Sequence, residues 1–157
     1  MKVAIIFGSI SDKEVMAKAA RCLEEFGVFY EAYAISAHRL PEVLGEKLKE
    51  FEHNGVEVII AGAGLAAHLP GVVASKTTIP VVGVPLKGAL EGVDALYSIV
   101  QMPKDIPVAT VGINNARNGA FLALQILGVK YPEIKEKVAK YRKEMVAKLT
   151  EEINQTL

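Results

Sequence analysis

The sequence predicts an α/β fold in which helices cover both faces of a parallel sheet. Short, continuously apolar segments alternate with amphipathic helical segments, and glycines or prolines lie at many of the boundaries. Strands that are buried on both faces have this continuous apolar character, which is typical of parallel sheets. No internal repeat, low-complexity tract or linker interrupts the alternation. We therefore expect right-handed crossovers and a doubly wound, three-layer αβα arrangement.

The predicted elements follow one another along the chain. The predicted strands are 3–7, 28–35, 56–61, 80–84 and 107–111. The predicted helices are 12–26, 41–53, 66–76, 92–100 and 116–127. Pro41 suits the first turn of its helix, and Asn54 with Gly55 suits the end of that helix. Five strands connected by helices in this way indicate a sheet of the flavodoxin-like type.

The last segment, 132–154, is highly charged but keeps one apolar face. Its apolar residues recur at steps of three and four: Ile134, Val138, Tyr141, Met145, Leu149 and Ile153. This spacing predicts an extra C-terminal helix. The helix could pack on its own domain or on a neighbouring subunit, and the residues alone leave both possibilities open. We expect a single domain, 1–157, with an α/β core over 1–130 and this helix over 131–157.

Composition limits the class of partner. The 157 residues include 18 lysines and arginines against 18 aspartates and glutamates, so no basic surface for nucleic acid or anionic lipid is predicted. The apolar segment 1–7 is too short to span a membrane. The single cysteine, Cys22, excludes an internal disulfide and lies on an apolar helix face, where burial is expected rather than reactivity. We expect a cytoplasmic protein with a small-molecule ligand.

The segment Gly8-Ser9-Ile10-Ser11-Asp12 directly follows the first predicted strand. Ligands of doubly wound sheets bind beyond the carboxyl ends of the strands. Glycine permits a tight turn there, the serines offer hydroxyl donors, and the following helix offers backbone N–H groups, a combination suited to phosphate. Asp12 either caps the helix or accepts hydrogen bonds from sugar hydroxyls. The spacing matches neither the dinucleotide fingerprint nor the P-loop.

A second polar segment, Ser36-Ala37-His38-Arg39, follows the second predicted strand. The guanidinium of Arg39 can hold phosphate with two parallel hydrogen bonds. Imidazole groups exchange protons near neutral pH, so His38 is a candidate acid and base. An ordinary polar loop before a helix is the alternative.

A third segment, AGAGLAAHLPG at 61–71, follows the third predicted strand. Its small residues let a ligand lie against the backbone in a small, dry pocket. His68 is its one chemically active side chain, and a structural histidine is the alternative. The three histidines are dispersed and no cluster with cysteine exists, so no metal site is predicted. Residues alone predict a phosphate-bearing small-molecule ligand and one acid/base group, without specifying a reaction.

Together these segments resemble the N5-carboxyaminoimidazole ribonucleotide mutases of purine synthesis. The matching pieces, in order, are GSISD at 8–12, SAHR at 36–39 with Pro41, AGAGLAAHLPG at 61–71, PVVGVP at 80–85 and GVDALYSIVQMP at 92–103. The resemblance extends to about Leu127. It implies a flavodoxin-like homo-octamer that moves carbon dioxide from an exocyclic nitrogen to ring carbon 4. It also implies that no metal, ATP or organic cofactor takes part.

The same resemblance implies roles for individual residues. His38 corresponds to the catalytic acid and base. The residues implied to bind the ribonucleotide are Ser9, Asp12 and Arg39, helped by Ser11 and Ser36, with Gly64 and His68 lining the pocket for the base and the migrating carboxylate. The octamer favours a subunit contact for the C-terminal helix.

The chain also departs from the family pattern. Leu65 stands where many members carry glycine, and Glu91 and Ala95 replace smaller or hydroxyl residues. Segment 110–119 is shorter and poorer in alanine and glycine, although we expect Asn118 to match the family's asparagine. These differences concern the shape of the pocket more than the chemistry.

Three alternatives remain at this point. A second class of the family carboxylates aminoimidazole ribonucleotide directly and typically has lysine at the position of Arg39, so the arginine favours the mutase. A flavodoxin-like module that binds flavin mononucleotide is disfavoured because the loops lack aromatic residues to stack on the flavin. A magnesium-binding receiver module is disfavoured because Asp12 alone among the acidic residues lies at a strand end.

Overall fold

The computed structural model describes residues 1–153 and contains a five-stranded parallel sheet with the order β2-β1-β3-β4-β5. The strands are β1 (Lys2–Phe7), β2 (Phe29–Ala34), β3 (Val58–Gly64), β4 (Val81–Leu86) and β5 (Ala109–Thr110). The helices are α1 (Lys13–Glu25), α2 (Pro41–His53), α3 (Leu69–Ala74), α4 (Val93–Val100), α5 (Ala116–Lys130) and α6 (Pro132–Ile153). This order confirms the predicted flavodoxin-like α/β fold. The predicted helix end at Asn154 and domain end at 157 lie outside the described residues.

Two apolar cores lie on opposite faces of the sheet. Because successive side chains of a strand point to opposite faces, Ile5 packs against α1 and α5, whereas Ile6 packs against α2, α3 and α4. The first core contains Met16 of α1 and Leu124 of α5, and the second contains Leu44 of α2. This double burial explains why β1, β3 and β4 are continuously apolar. The edge strand β2 has no buried residue and accommodates the charged Glu31.

The order in which strands are added to the sheet changes side at β1, which makes this strand the topological switch point. The chain proceeds from β1 to β2 on one side of the sheet and then crosses to β3 on the other side. Phe7 is in register with Ala34 of β2 and with Gly62 of β3, so the three strands end at nearly the same level. The loops that follow them therefore meet at one edge, beside the switch point where such sheets bind ligands.

The C-terminal helix α6 packs on its own domain along its first half. Ile134 and Val138 are buried against α5, and the ring of Tyr141 lies 5.1 Å from that of Phe121. The guanidinium of Arg117 donates to Tyr141. The second half of α6 exposes its apolar residues, which are Met145, Val146, Leu149 and Ile153. The two halves of the helix therefore differ in environment. The first half packs on the same domain, which is one of the two possibilities that the sequence left open.

Arg117 also connects α5 to α1. Its two terminal nitrogens donate to the carboxylate oxygens of Glu25, at 3.0 and 2.8 Å. This two-point contact lowers the pKa of Glu25 below its ordinary value. The predicted burial of Cys22 on the same helix is confirmed, because its side chain is fully buried. Burial raises the pKa of this thiol to about 11, so a reactive thiolate is not available at neutral pH.

Several predicted boundaries were wrong. Strand β3 continues to Gly64 rather than ending at residue 61, because Gly62 and Gly64 pair with Val84 and Leu86 of β4. Helix α3 is consequently shorter than predicted. Strand β5 has two residues rather than five, since it lies at the sheet edge and follows Pro107, which has no N–H to donate. Within residues 1–153, no helix is long and apolar enough to cross a membrane.

Gly83 in β4 lies close against Ile99 of α4. A Cβ atom there would lie 2.5 Å from Cγ2 of Ile99 and 2.8 Å from Cγ1 of Val108. We predict that Gly83→Ala lowers the free energy of unfolding by about 1–3 kcal/mol through overpacking. Gly45→Ala is the matched control, because Gly45 lies in α2 with no atom near the added Cβ, and it should raise that free energy by about 0.5–1 kcal/mol. Denaturant unfolding measures both, and equal effects would contradict the close packing.

Candidate active site

A cavity of about 530 Å³ opens at the carboxyl edge of the sheet, between the loops that follow β1, β2, β3 and β4. The structure brings all of the predicted site residues to this one cavity. They are Ser9, Ser11, Asp12, Ser36, His38, Arg39, Gly64 and His68. The volume is in the range of small-molecule sites. Residues from four separate loops thus converge where the fold class directs ligands.

The first wall is the turn after β1. Ile10–Asp12 forms one 3₁₀ turn, and the carboxylate of Asp12 accepts a hydrogen bond from the Ser9 amide at 3.1 Å. Ser9 Oγ in turn accepts from the Ser11 hydroxyl at 3.0 Å. Because Ser9 Oγ is an acceptor in this contact, its own hydroxyl proton remains available to a ligand. Asp12 thus completes a capping box of the 3₁₀ turn, whereas at the N-cap position of α1, the capping role predicted as one alternative, its side chain makes no cap hydrogen bond.

The second wall is the loop between β2 and α2. Arg39 lies beside the turn after β1, because its guanidinium donates to the carbonyl oxygen of Gly8 at 3.4 Å. Ser36 Oγ accepts the Arg39 amide at 3.3 Å and so helps to shape the loop. The loop is short because Pro41 begins α2 directly after it. A cation, two serine hydroxyls and a carboxylate therefore occupy one end of the cavity.

The third wall carries a pair of histidines that the sequence did not predict as a pair. Nε2 of His38 lies 2.8 Å from Nδ1 of His68, which is hydrogen-bonding distance, and the two rings are nearly perpendicular. His38 follows β2, whereas His68 immediately precedes α3. Strand pairing through β1 connects these two segments, which lie 30 residues apart in the chain. Both side chains are exposed, so the cavity of the single chain is open to solvent rather than dry as predicted.

The fourth wall includes two residues that sequence reasoning missed, Lys87 and Gly88 after β4. Leu65 packs against Gly88, since a Cβ on this glycine would lie 3.3 Å from the Leu65 side chain. Leu65 has a φ of 56° and is more than half exposed. That left-handed conformation suits glycine, the residue that the family resemblance leads us to expect at this position. The sequence could have indicated these two residues, because ligands of such sheets bind beyond the ends of the strands and this applies to β4 as much as to β1, β2 and β3.

The segment 110–119 contributes indirectly. The side-chain oxygen of Asn114 accepts the Lys87 amide at 2.8 Å and so holds the loop after β4. Asn115 caps α5 by accepting the amide of Asn118. Asn118 itself lines a groove between α5 and α6 instead of the cavity. Within the described chain, Asn118 is therefore not among the residues that surround the candidate site.

The arrangement supports anion binding beside acid–base chemistry. Arg39 and the serine hydroxyls are suited to a phosphate, and the imidazole pair can give and take a proton. Within the described residues, no phenylalanine, tyrosine or tryptophan lines the cavity, so a flavin ring would have no aromatic surface on which to stack. Over the same residues, no group of three or more histidine, cysteine, aspartate or glutamate side chains is arranged as a metal-binding cluster.

Fold and site together define an α/β protein that binds a small anionic molecule at the carboxyl edge of its sheet. Comparison with known proteins makes this specific. The chain belongs to the AIR carboxylase family, whose model matches residues 2–148.

The relatives agree with this assignment. An N5-carboxyaminoimidazole ribonucleotide mutase of Pyrococcus horikoshii is 63% identical over 150 residues, covering 95% of this chain and 85% of the relative. A phosphoribosylaminoimidazole carboxylase of Candida albicans is 58% identical over 127 residues, which are 80% of this chain and 22% of the relative. Among solved structures, PurE of Treponema denticola superimposes with a TM-score of 0.90 at 30% identity, covering 98% and 97% of the two chains.

The pH dependence of stability tests the environment of Asp12. Burial raises the pKa of Asp12 above its ordinary value of 3.8, although the Ser9 amide and Ser11 hydroxyl act to lower it. The folded state therefore binds the proton more tightly than the unfolded state, and this contribution is lost as pH rises through the raised pKa. Asp12→Asn keeps an acceptor oxygen but does not titrate.

We predict that the free energy of unfolding of Asp12→Asn minus that of the parent increases as pH rises from below 3.8 through the raised pKa of Asp12. At higher pH this difference should be constant. Denaturant unfolding of both proteins between about pH 3 and 7 measures this difference. A difference that decreases over the same interval would show that the pKa of Asp12 is lowered in the folded state.

Proposed function

We propose that this chain is an N5-carboxyaminoimidazole ribonucleotide mutase of purine biosynthesis. Its reaction moves a carboxyl group from the exocyclic nitrogen of an aminoimidazole ribonucleotide to ring carbon 4. The observation that carries the proposal is the His38–His68 pair in the cavity that Arg39 and the Ser9–Asp12 turn also line. Membership of the AIR carboxylase family and the name of the Pyrococcus horikoshii relative support it.

The phosphate end of the ribonucleotide binds at the turn after β1. Arg39 reaches this turn through its contact with Gly8 and supplies the positive charge. Ser9 donates its hydroxyl proton to the phosphate, and Ser11 helps by donating its own proton to Ser9 Oγ. Ser36 holds the backbone of Arg39 in place. Asp12 accepts hydrogen bonds from the ribose hydroxyls through the carboxylate oxygens that its turn leaves accessible. The small residues at the end of β3, among them Gly64, let the imidazole ring lie against the backbone.

The reaction then requires two proton transfers, one from the enzyme to the substrate and one from the substrate back to the enzyme. Protonated His38 gives its proton to the exocyclic nitrogen as the nitrogen–carboxyl bond breaks, and the bonding electrons stay on nitrogen. Ring carbon 4 attacks the released carbon dioxide and forms the new carbon–carbon bond. His38 takes back the proton that carbon 4 carried, which restores the aromatic ring.

Proximity is the main contribution of the site, because carbon dioxide must be captured before it diffuses away. His68 lines the region of the migrating carboxylate and orients His38 through their hydrogen bond. The overall reaction is an isomerisation in which nothing is oxidised or reduced. The proposed mechanism therefore requires no metal, no ATP and no organic cofactor.

A second candidate is direct carboxylation of aminoimidazole ribonucleotide with carbon dioxide. The name of the Candida albicans relative, which is 58% identical over its matched segment, favours it. One experiment separates the two reactions. The purified protein is given either the carbamate ribonucleotide without bicarbonate or aminoimidazole ribonucleotide with bicarbonate, and the ring-carboxylated product is measured. We expect rapid product formation from the carbamate alone, and product formed only in the second arm would establish the carboxylase instead.

We further propose a single cytoplasmic domain that assembles into a homo-octamer, with α6 at a subunit contact. Exposed apolar residues on the second half of α6 and on α4 support such contacts, for example Leu149 and Tyr97. The single buried cysteine is compatible with a reducing compartment. Light scattering after size exclusion should give a mass of eight times the 16.9 kDa chain. A mass of one or two chains would exclude the octamer.

The role of His38 predicts a selective loss of turnover. We expect His38→Asn to reduce turnover by about 10²–10⁴-fold, since asparagine cannot exchange the proton, while the affinity for ribonucleotide stays within about threefold. Steady-state rates and calorimetric titration with the ring-carboxylated ribonucleotide measure the two properties.

The matched control is His53→Asn, at the C-terminal end of α2 and outside the cavity, which should leave turnover unchanged. Turnover of the His38 variant equal to that of the parent would remove the proton-transfer role from this residue.

A further inference from the structure

Lys87 is a charged residue of the cavity that the mechanism above does not use. It follows β4 directly and lines the same cavity as His38 and Arg39. Among the residues lining this cavity in the described chain, the side chains with a permanent positive charge are Arg39 and Lys87, and Asp12 is the one acidic side chain. The proposed substrate carries two anionic groups, the phosphate and the carboxyl group that moves. The cavity therefore holds one cation for each anionic group of the ligand.

The two cations lie at opposite ends of the cavity. Arg39 follows β2 and contacts the turn after β1, whereas Lys87 follows β4. The guanidinium therefore lies beside the end of β1, and the order β1-β3-β4 separates that strand from β4 by two inter-strand spacings, which is roughly 10 Å. A single phosphate cannot bridge that separation. A ribonucleotide, which carries its phosphate and its carboxylate at opposite ends, has the required elongated shape.

The ammonium group of Lys87 has an exchangeable partner. Its ammonium group forms an ion pair with Glu91, four residues later in the same loop. Both side chains are more than half exposed, and exposed ion pairs of this kind contribute little stability. Meanwhile the Lys87 amide is fixed by Asn114 at 2.8 Å. The backbone is thus anchored while the ammonium group can leave Glu91 at small cost.

The loop after β4 positions Glu91 through three successive residues with positive φ angles. Leu90, Glu91 and Gly92 have successive positive φ values of 47°, 55° and 86°. Two of the three are not glycine, so this conformation stores strain, and such strain is concentrated at functional segments. Glu91 itself does not line the cavity. The strained turn therefore presents a carboxylate to Lys87 from outside the space that the ligand occupies.

We propose that Lys87 binds the carboxyl group of the ribonucleotide, exchanging Glu91 for it, while Arg39 binds the phosphate. This assignment rests on the proposed function and names the residue that distinguishes a carboxylated from an uncarboxylated ribonucleotide. Glu91 competes with the ligand for the ammonium group and so limits the affinity for the carboxylate. Lys87 is a binding residue in this account, and the proton transfers remain with His38.

The test compares two ligands that differ in the carboxylate alone. The ring-carboxylated aminoimidazole ribonucleotide and aminoimidazole ribonucleotide are titrated calorimetrically into the parent, Lys87→Gln and Glu91→Gln proteins. For Lys87→Gln we expect the Kd of the carboxylated ligand to rise by about fivefold and that of the uncarboxylated ligand by less than about twofold. For Glu91→Gln we expect the Kd of the carboxylated ligand to fall, because the competing carboxylate has been removed.

Two further variants serve as controls. Arg39→Lys should weaken both ligands equally, since both carry the phosphate and lysine lacks the forked contact. Lys104→Gln, an exposed lysine in the loop between α4 and β5 at the opposite edge of the sheet, should change neither Kd.

The outcomes separate this assignment from the proposed function. Equal weakening of both ligands by Lys87→Gln, or no weakening of either, would overturn the assignment although the parent still forms the ring-carboxylated product. If the parent binds neither ribonucleotide, the proposed function fails and the assignment fails with it.

Discussion

The parallel pairing of β1 with both β2 and β3 is the constraint on which the candidate site depends. This pairing brings the ends of β1 and β2 to one level, and β3 continues two residues further. The turn at Gly8, the loop holding Arg39 and the segment before His68 therefore begin at the same edge of the sheet. A slip of one residue would point the apolar side chains of β1 towards the wrong core. Burial of apolar residues therefore fixes the register, and the register fixes the distances between groups that lie far apart in the chain.

The same constraint separates stability from chemistry. Within residues 1–153, the fully buried side chains are apolar, whereas the charged and hydrogen-bonding groups of the site lie on loops at the sheet edge. Charges placed there remain partly hydrated and avoid the large cost of burial. The loops can also hold strained conformations, as at Leu65 and Glu91, because paired strands and packed helices fix their flanks. A well-packed core thus permits a loosely constrained but well-positioned set of polar groups.

The sequence predicted those features that depend on neighbouring residues in the chain, and it missed those that depend on contacts between distant segments. The strands and helices were predictable because burial on both faces leaves a continuous apolar pattern. The end of β3 was not, since Gly62 and Gly64 look like loop residues until β4 supplies their pairing partner. The eight site residues were found from short motifs and a family resemblance. Lys87 was missed because its neighbours form no recognisable motif and the expectation that ligands bind beyond strand ends was followed for the first three strands and not for β4.

The histidine pair shows how tertiary geometry limits chemistry in a way no local motif could. A hydrogen bond between Nε2 of His38 and Nδ1 of His68 requires one protonated nitrogen and one free lone pair. While the bond is intact, one of these two nitrogens carries the proton and the other accepts it, so the contact fixes the two rings relative to each other. The proposed carboxyl shift needs one proton, given to the exocyclic nitrogen and taken back from ring carbon 4. The contact with His68 orients the His38 ring for that transfer, and Lys87 and Arg39 balance the anionic ligand without adding a second acid.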